Sequence, residues 1–171
     1  MAKIIWLTGL SGTGKTTICK RIKKFLKYNQ KCLIIDGDTF RKKNKQFSFS
    51  RKNIIKNNLQ IINYCKKSFN KYDYILVAVI SPLKKTRKYA YKTFKENYFE
   101  VYVFASLKTL IKRDTKGLYN LSKKGLFNNL IGYRSKINYE KSDHKYLRIN
   151  TNILSLNQSL VRILKYTKIK S

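Results

Sequence analysis

Apolar residues fall along this chain in short unbroken runs, separated by longer segments in which they recur every three or four positions. Residues 3–9 (KIIWLTG) and 72–81 (YDYILVAVIS) are continuous runs, the pattern of strands buried on both faces. Residues 31–38 (KCLIIDGD), 99–105 (FEVYVFA) and 146–151 (YLRINT) predict three more strands. Between them, residues 15–28 predict a helix with Ile18, Ile22 and Phe25 on one face. Residues 50–69 predict another, with Ile54, Leu59, Ile62 and Cys65 roughly periodic. A further helix begins near Lys84, residues 107–112 make a short one, and a last helix begins near Ser155. Strands that alternate with helices need right-handed crossovers, so the expected class is α/β: a parallel sheet with helices on both faces and binding at the carboxyl ends of the strands.

A chain of 171 residues suits a single domain, and neither the lone Pro82 nor the scattered glycines mark a linker. No internal repeat is visible. The polar stretch 113–144 carries Arg113, Lys116, Lys123 and Lys124 and reads as a mobile basic lid able to close over phosphates and exclude water.

Charge alters this picture little. Lys and Arg number 39 against 8 Asp and Glu, a net charge of +31 that invites a nucleic-acid partner. The lysines are spread along the whole chain, however, and accompany Asn, Ile and Tyr, whose codons are also rich in A and T, so a low-GC genome accounts for much of the excess. The expected partner is a small anionic substrate drawn in a salt-sensitive way, not a nucleic acid. Cys19, Cys32 and Cys65 have no metal-like or redox-like spacing and read as small core hydrophobes in a reducing compartment. No signal pattern opens the chain, and the longest apolar run is too short to span a bilayer, so a cytoplasmic protein without a membrane partner is expected. The lone His144 reads as a surface residue.

The chemistry begins at GLSGTGKT. Gly9, Gly14, Lys15 and Thr16 satisfy GxxxxGK[ST], between a predicted strand and a predicted helix. The glycines let backbone N–H groups through Ser11, Gly12, Thr13 and Thr17 point at phosphate oxygens, helped by the positive end of the helix. Lys15 would reach the β and γ phosphates of ATP, and the Thr16 hydroxyl would ligate Mg2+. Such a loop serves hydrolysis for work and phosphoryl transfer alike. A motor or GTPase carries an Asp at the end of its long apolar strand; here that strand ends in Ser81, and the Asn, Lys and Asp signature that reads a guanine base is absent. Instead Asp36 and Asp38 flank Gly37 at the end of the second strand. Asp-Gly is common in plain turns, but here the pair should face the γ phosphate. With Lys15 it forms the candidate catalytic set: one carboxylate orients or deprotonates an attacking hydroxyl and the other, with Thr16, helps position the metal. The terminal phosphate is then expected to pass to a second substrate.

The blocks GLSGTGKTT, DGDTFR, FSRKN, ISPLKKTR, FEVYV and RDTKGLY, with a glycine-containing stretch before YE, resemble in order and over most of the chain the adenylylsulfate (APS) kinase family. The resemblance implies a P-loop kinase fold and Mg2+-dependent transfer from ATP to the 3′-hydroxyl of a nucleotide ribose. It makes Asp36 and Asp38 the catalytic pair, Arg41 a substrate-binding residue, Phe49 the ring stacked on the substrate base and Asn57 a polar contact. Ile80 and Ser81 line the nucleotide site, Arg113 meets ATP, and Lys116, with Gly117 and Leu118, meets the acceptor's anionic end. The family is often dimeric, which makes a homodimer an open expectation.

Departures concentrate on the acceptor side. Asn53 and Ile54 stand where the family has an Asp-Arg pair, Val79 and Lys84 replace an aromatic and an Arg, and Leu130 falls where a second ring sandwiches the adenine. With the ATP side intact, this implies a changed acceptor with a smaller base. APS-kinase-like enzymes of bacterial capsule clusters phosphorylate cytidine diphosphoramidate, which becomes the favoured acceptor. APS itself remains the alternative, and a nucleic-acid-binding ATPase or polynucleotide kinase a more remote one.

Overall fold

A computed structural model describes residues 1–44 and 49–169. Five strands, β1 (Lys3–Thr8), β2 (Cys32–Asp36), β3 (Tyr74–Val79), β4 (Tyr98–Phe104) and β5 (Leu147–Asn150), pair in the order β2-β3-β1-β4-β5. Every pairing is parallel. The connections carry α1 (Lys15–Phe25), α2 (Gly37–Lys43), α3 (Arg51–Ser68), α4 (Lys84–Phe94), α5 (Leu107–Arg113) and α6 (Leu118–Lys123), and α7 (Leu156–Thr167) follows β5.

Alternation along the strands splits the interior into two cores. Ile5, Leu7, Leu76, Val101, Val103 and Ile149 point to one face, where Ile18, Cys19 and Ile22 of α1 and Leu160 and Ile163 of α7 cover them. Ile4, Trp6, Ile75, Val77 and Val79 point to the other, against Ile61, Ile62 and Cys65 of α3 and Ala90 and Phe94 of α4. Each such side chain taken wholly out of water contributes about 1.5–3 kcal/mol before entropy is counted, which is why the continuous apolar runs become central strands. The expected α/β class with helices on both faces is what forms. Among the described residues no helix is long and apolar enough to cross a membrane.

Four expectations need correction. Phe25 is 37% exposed, because α1 ends there; Cys19 supplies the third core position instead. On α3, Ile61 and not Leu59 is the fully buried residue beside Ile62. The strand predicted to Asp38 stops at Asp36, where the Asp36 carboxylate accepts hydrogen bonds from the Asp38 and Thr39 amides and so caps α2. His144 is not a surface residue: its side chain is 10% exposed, stacks on Tyr91 at 4.5 Å, and has Nε2 2.9 Å from Glu100 Oε2.

The predicted lid is also more structured than a solvated loop. It contains α6, and its Tyr119 and Leu130 pack with Ala105 and Leu110 in an apolar cluster joined by Leu10, Leu118, Phe127 and Tyr133.

Candidate active site

The loop after β1 turns through Gly9, Gly12 and Gly14, all at positive φ. At Gly9 a Cβ would sit 2.0 Å from the Val103 carbonyl oxygen, so only glycine lets the loop leave the sheet here. No side chain caps α1, which leaves its first amides available to an anion. Lys15 is buried, and its Nζ donates to the carbonyls of Gly9 (2.9 Å) and Leu10 (2.7 Å). Burial, and then the charge of Lys116, lowers its pKa to about 8.

The end of β2 brings the first carboxylate to this loop. The Thr16 hydroxyl donates to Asp36 Oδ2 at 2.6 Å, while Asp36 Oδ1 accepts the two α2 amides. Burial alone would raise the Asp36 carboxyl, but the Thr16 hydroxyl and the Thr39 and Asp38 amides offset it, and its pKa lies below the ordinary value. Gly37 explains how the strand end approaches: a Cβ there would meet Val79 Cγ2 at 2.8 Å and the Ala78 oxygen at 3.2 Å. Asp38 then points across the cleft and is ion-paired with Lys116. The Thr16 hydroxyl and Asp36 carboxylate are hard oxygen donors already within bonding distance of each other. Such a pair fits a hard divalent cation such as Mg2+, which Thr16 and Asp36 would hold. No cluster of three or more His, Cys, Asp or Glu suited to a metal exists among the described residues.

These groups share one cavity of about 180 Å3. It brings together the predicted Ser11, Gly12, Gly14, Lys15, Thr16, Thr17, Asp36, Asp38, Arg41, Phe49, Ile80 and Lys116, and adds Thr115 and Val79. Arg41 is buried with its guanidinium 4.4 Å from the centre of the Phe49 ring. A second cleft of about 270 Å3 lies beside the phosphate loop, lined by Gly12, Thr13, Gly14, Thr17, Arg113 and Thr151 together with Leu154 and Leu156. Arg113 donates to Thr151 Oγ1 (3.0 Å) and to the Thr151 carbonyl (2.5 Å). Arg113 and Lys116 therefore line different clefts, although only two residues separate them.

Several predicted residues lie outside the first cavity's lining. Ser81 is fully buried, its hydroxyl 3.3 Å from that of Thr86. Gly117 opens α6 at φ 67°, and Leu118 packs into the apolar cluster beneath the lid. Asn57 is fully buried, and neither side-chain polar atom is hydrogen-bonded among the described residues. Leu130 does not face Phe49: it is buried against Ala105, Leu110 and Tyr119. The ring that reaches Phe49 is Phe127, edge-on at 5.5 Å and 85°. The sequence signal was a nearby aromatic in GLFNNLIG, displaced from the expected position in a stretch of altered length. Ile54, where an Arg was expected, is fully buried with Leu83 and Ile131. Thr151 and Leu154 had no motif to announce them.

A family model described as adenylylsulphate kinase matches residues 1–150. The chain belongs to the adenylylsulfate kinase family. It is 35% identical over 167 residues to the probable adenylyl-sulfate kinase of Pyrococcus abyssi, covering 96% of this chain and 94% of that one. It is also 33% identical over 141 residues to the cytidine diphosphoramidate kinase of Campylobacter jejuni, covering 82% of each. Among solved structures it is similar to Mycobacterium tuberculosis APS kinase CysC in complex with AMPPNP and APS, with TM-score 0.87, 26% identity and 98% of both chains covered. Shikimate kinase from Aquifex aeolicus, at TM-score 0.55 and 17% identity over 96% of both chains, shares the fold. This member of the APS kinase family is accordingly a P-loop kinase, a phosphotransferase acting on a hydroxyl group.

Proposed function

We propose that the enzyme transfers the γ-phosphoryl group of ATP to the 3′-hydroxyl of a nucleotide ribose, with cytidine diphosphoramidate as acceptor. The observation that carries the transfer reading is the single cavity that holds Lys15 and Thr16 with Asp36 and Asp38. The phosphate-loop amides and Lys15 hold the donor's phosphates. Asp38, once released from Lys116, orients the attacking hydroxyl and takes its proton as the new O–P bond forms and the bond to the departing ADP oxygen breaks. Mg2+, held by Thr16 and Asp36, would neutralise charge that develops on the phosphate oxygens. Arg113 and the second cleft suit the donor nucleoside, while Phe49, Arg41 and Lys116 suit the acceptor.

The choice of acceptor rests on Ile54, whose burial in an apolar cluster leaves no guanidinium where a clamp on the sulfated phosphate was expected. One observation favours APS instead: Phe127 stands edge-on to Phe49, so an adenine stacked on Phe49 would meet a second aromatic beside it. The deciding experiment is a coupled ADP-release assay against both nucleotides in parallel. Turnover of cytidine diphosphoramidate with little of APS is expected; turnover of APS alone refutes the acceptor, and ADP release that needs neither nucleotide refutes transfer.

A further inference from the structure

Among the described residues, the largest wholly buried side chain after Trp6 is Arg87 of α4, a residue that lines neither cleft. Its three guanidinium nitrogens join three segments far apart in sequence. Nε donates to Glu100 Oε1 of β4 (3.1 Å) and to Ser142 Oγ (2.9 Å), Nη1 to the carbonyl of Ser81, and Nη2 to the carbonyl of Glu140. The guanidinium carbon lies 4.8 Å from the centre of the Tyr139 ring. Around it the same segments are stitched together: the Glu140 amide donates to the Pro82 carbonyl (2.8 Å), and the Tyr139 hydroxyl donates to Thr8 Oγ1 (3.0 Å), at the last residue of β1 before the phosphate loop. Glu100 is fully engaged, accepting also from the Ser142 hydroxyl (2.5 Å) and the Tyr98 hydroxyl (3.2 Å) and meeting His144.

A buried ion pair seldom stabilises a fold more than an apolar pair of equal volume, because desolvation offsets the attraction. What a guanidinium supplies that an apolar residue cannot is a rigid fork that fixes several acceptors at set angles. Two of the acceptors lie next to residues of the acceptor side of the cavity. Ser81 directly follows Ile80, which lines it, and Glu140 lies three positions after Ile137, which packs in one apolar cluster with Phe49 and Ile80.

We propose that Arg87 is a positioning residue for the acceptor site, fixing the loop after β3 and the returning end of the lid region against β4, and that the donor cleft does not depend on it. Only the kinetic arm of the test rests on the transfer reading above.

Arg87→Met alone would strand the Glu100 carboxylate, so the informative variant is Arg87→Met with Glu100→Gln, which removes both partners of the buried ion pair together. In it the acceptor KM should rise on the order of 10- to 100-fold, as displaced positioning groups do, while the ATP KM stays near that of the unaltered enzyme. Amide hydrogen exchange should speed up in residues 80–83 and 137–144 and hold steady in residues 9–17. Arg87→Lys should recover thermal stability, since an ammonium can pair with Glu100. It should not recover the acceptor KM, since it cannot also span both carbonyls. The proposal is overturned if the double variant keeps its acceptor KM, if both KM values rise together, if exchange quickens uniformly or nowhere, or if Arg87→Lys restores the acceptor KM. Should the unaltered enzyme transfer to neither nucleotide, the transfer reading fails by itself, and the exchange pattern alone decides on Arg87.

Discussion

Asp36 and Asp38 lie two positions apart, yet the structure gives them different work. Asp36 is held by the Thr16 hydroxyl and caps α2, whereas the Asp38 carboxylate is ion-paired with Lys116 from across the cavity. Asp38→Asn should therefore reduce transfer by about 10²- to 10⁴-fold, the usual contribution of a proton-accepting group, with nucleotide affinity by calorimetry nearly unchanged. Full turnover in that variant would remove Asp38 from the mechanism. Asp36→Asn keeps an oxygen acceptor for the helix cap, so stability should fall by less than the roughly 1 kcal/mol of a lost cap. The Mg2+ concentration needed for half-maximal rate should rise, and an unshifted Mg2+ titration would argue against metal contact. The pair was legible in the sequence because a strand end, two acids and a glycine form a local pattern. The partner of Asp38 was not, since Lys116 reaches it from 78 residues away.

At the scale of elements, long periodic segments and continuous apolar runs were readable, because burial on a sheet face leaves a regular imprint. What escaped depends on contacts between elements. α2 forms because Asp36 caps it and because Gly37 lets the chain lie against β3, a constraint invisible until β2 and β3 are paired. Gly37→Ala should lower stability by about 1–3 kcal/mol, the range for an overpacked site, and displace both acids. A thermal melt and a transfer assay that both match the unaltered enzyme would contradict this. In the lid region, Leu130, which the resemblance placed where a second ring belongs, turns inward and Phe127 reaches Phe49, since packing against Ala105 and Leu110 decides which side chain is buried. Leu130→Ala should cost roughly 2–5 kcal/mol of stability without preference for one substrate's KM. Phe127→Ala should weaken acceptor binding by about 1–3 kcal/mol if the ring stacks on a base, with ATP KM unaltered. The reverse pattern would return Leu130 to the base-binding position.

Over the whole molecule the net charge of +31 was legible as a number, but its consequence depends on where the few acids sit. Three of the eight are bound into the interior or the cleft: Glu100 in the Arg87 network, Asp36 on Thr16 and Asp38 on Lys116. Cations are held with them, Arg87 on Glu100, Lys116 on Asp38 and the buried Lys15 in the same cleft as Asp36, so the remaining surface stays about as cationic as composition implies. A field of one sign around a cleft that takes anions raises their encounter rate, and salt screens it over a Debye length of about 8 Å at physiological ionic strength. Raising NaCl should therefore lower kcat/KM for both nucleotide substrates while leaving kcat nearly constant, because contacts made inside the cavity are screened far less than long-range steering. A fall in kcat that matches the fall in kcat/KM would place the salt effect on the bound complex instead. Duplex DNA should compete at low salt and lose its hold steeply as salt rises, the behaviour of contacts to phosphate alone. DNA bound at physiological salt tightly enough to inhibit transfer would mean that the surface charge serves a polymer, and would revive the nucleic-acid reading that the shared cavity of Lys15, Asp36 and Asp38 argues against.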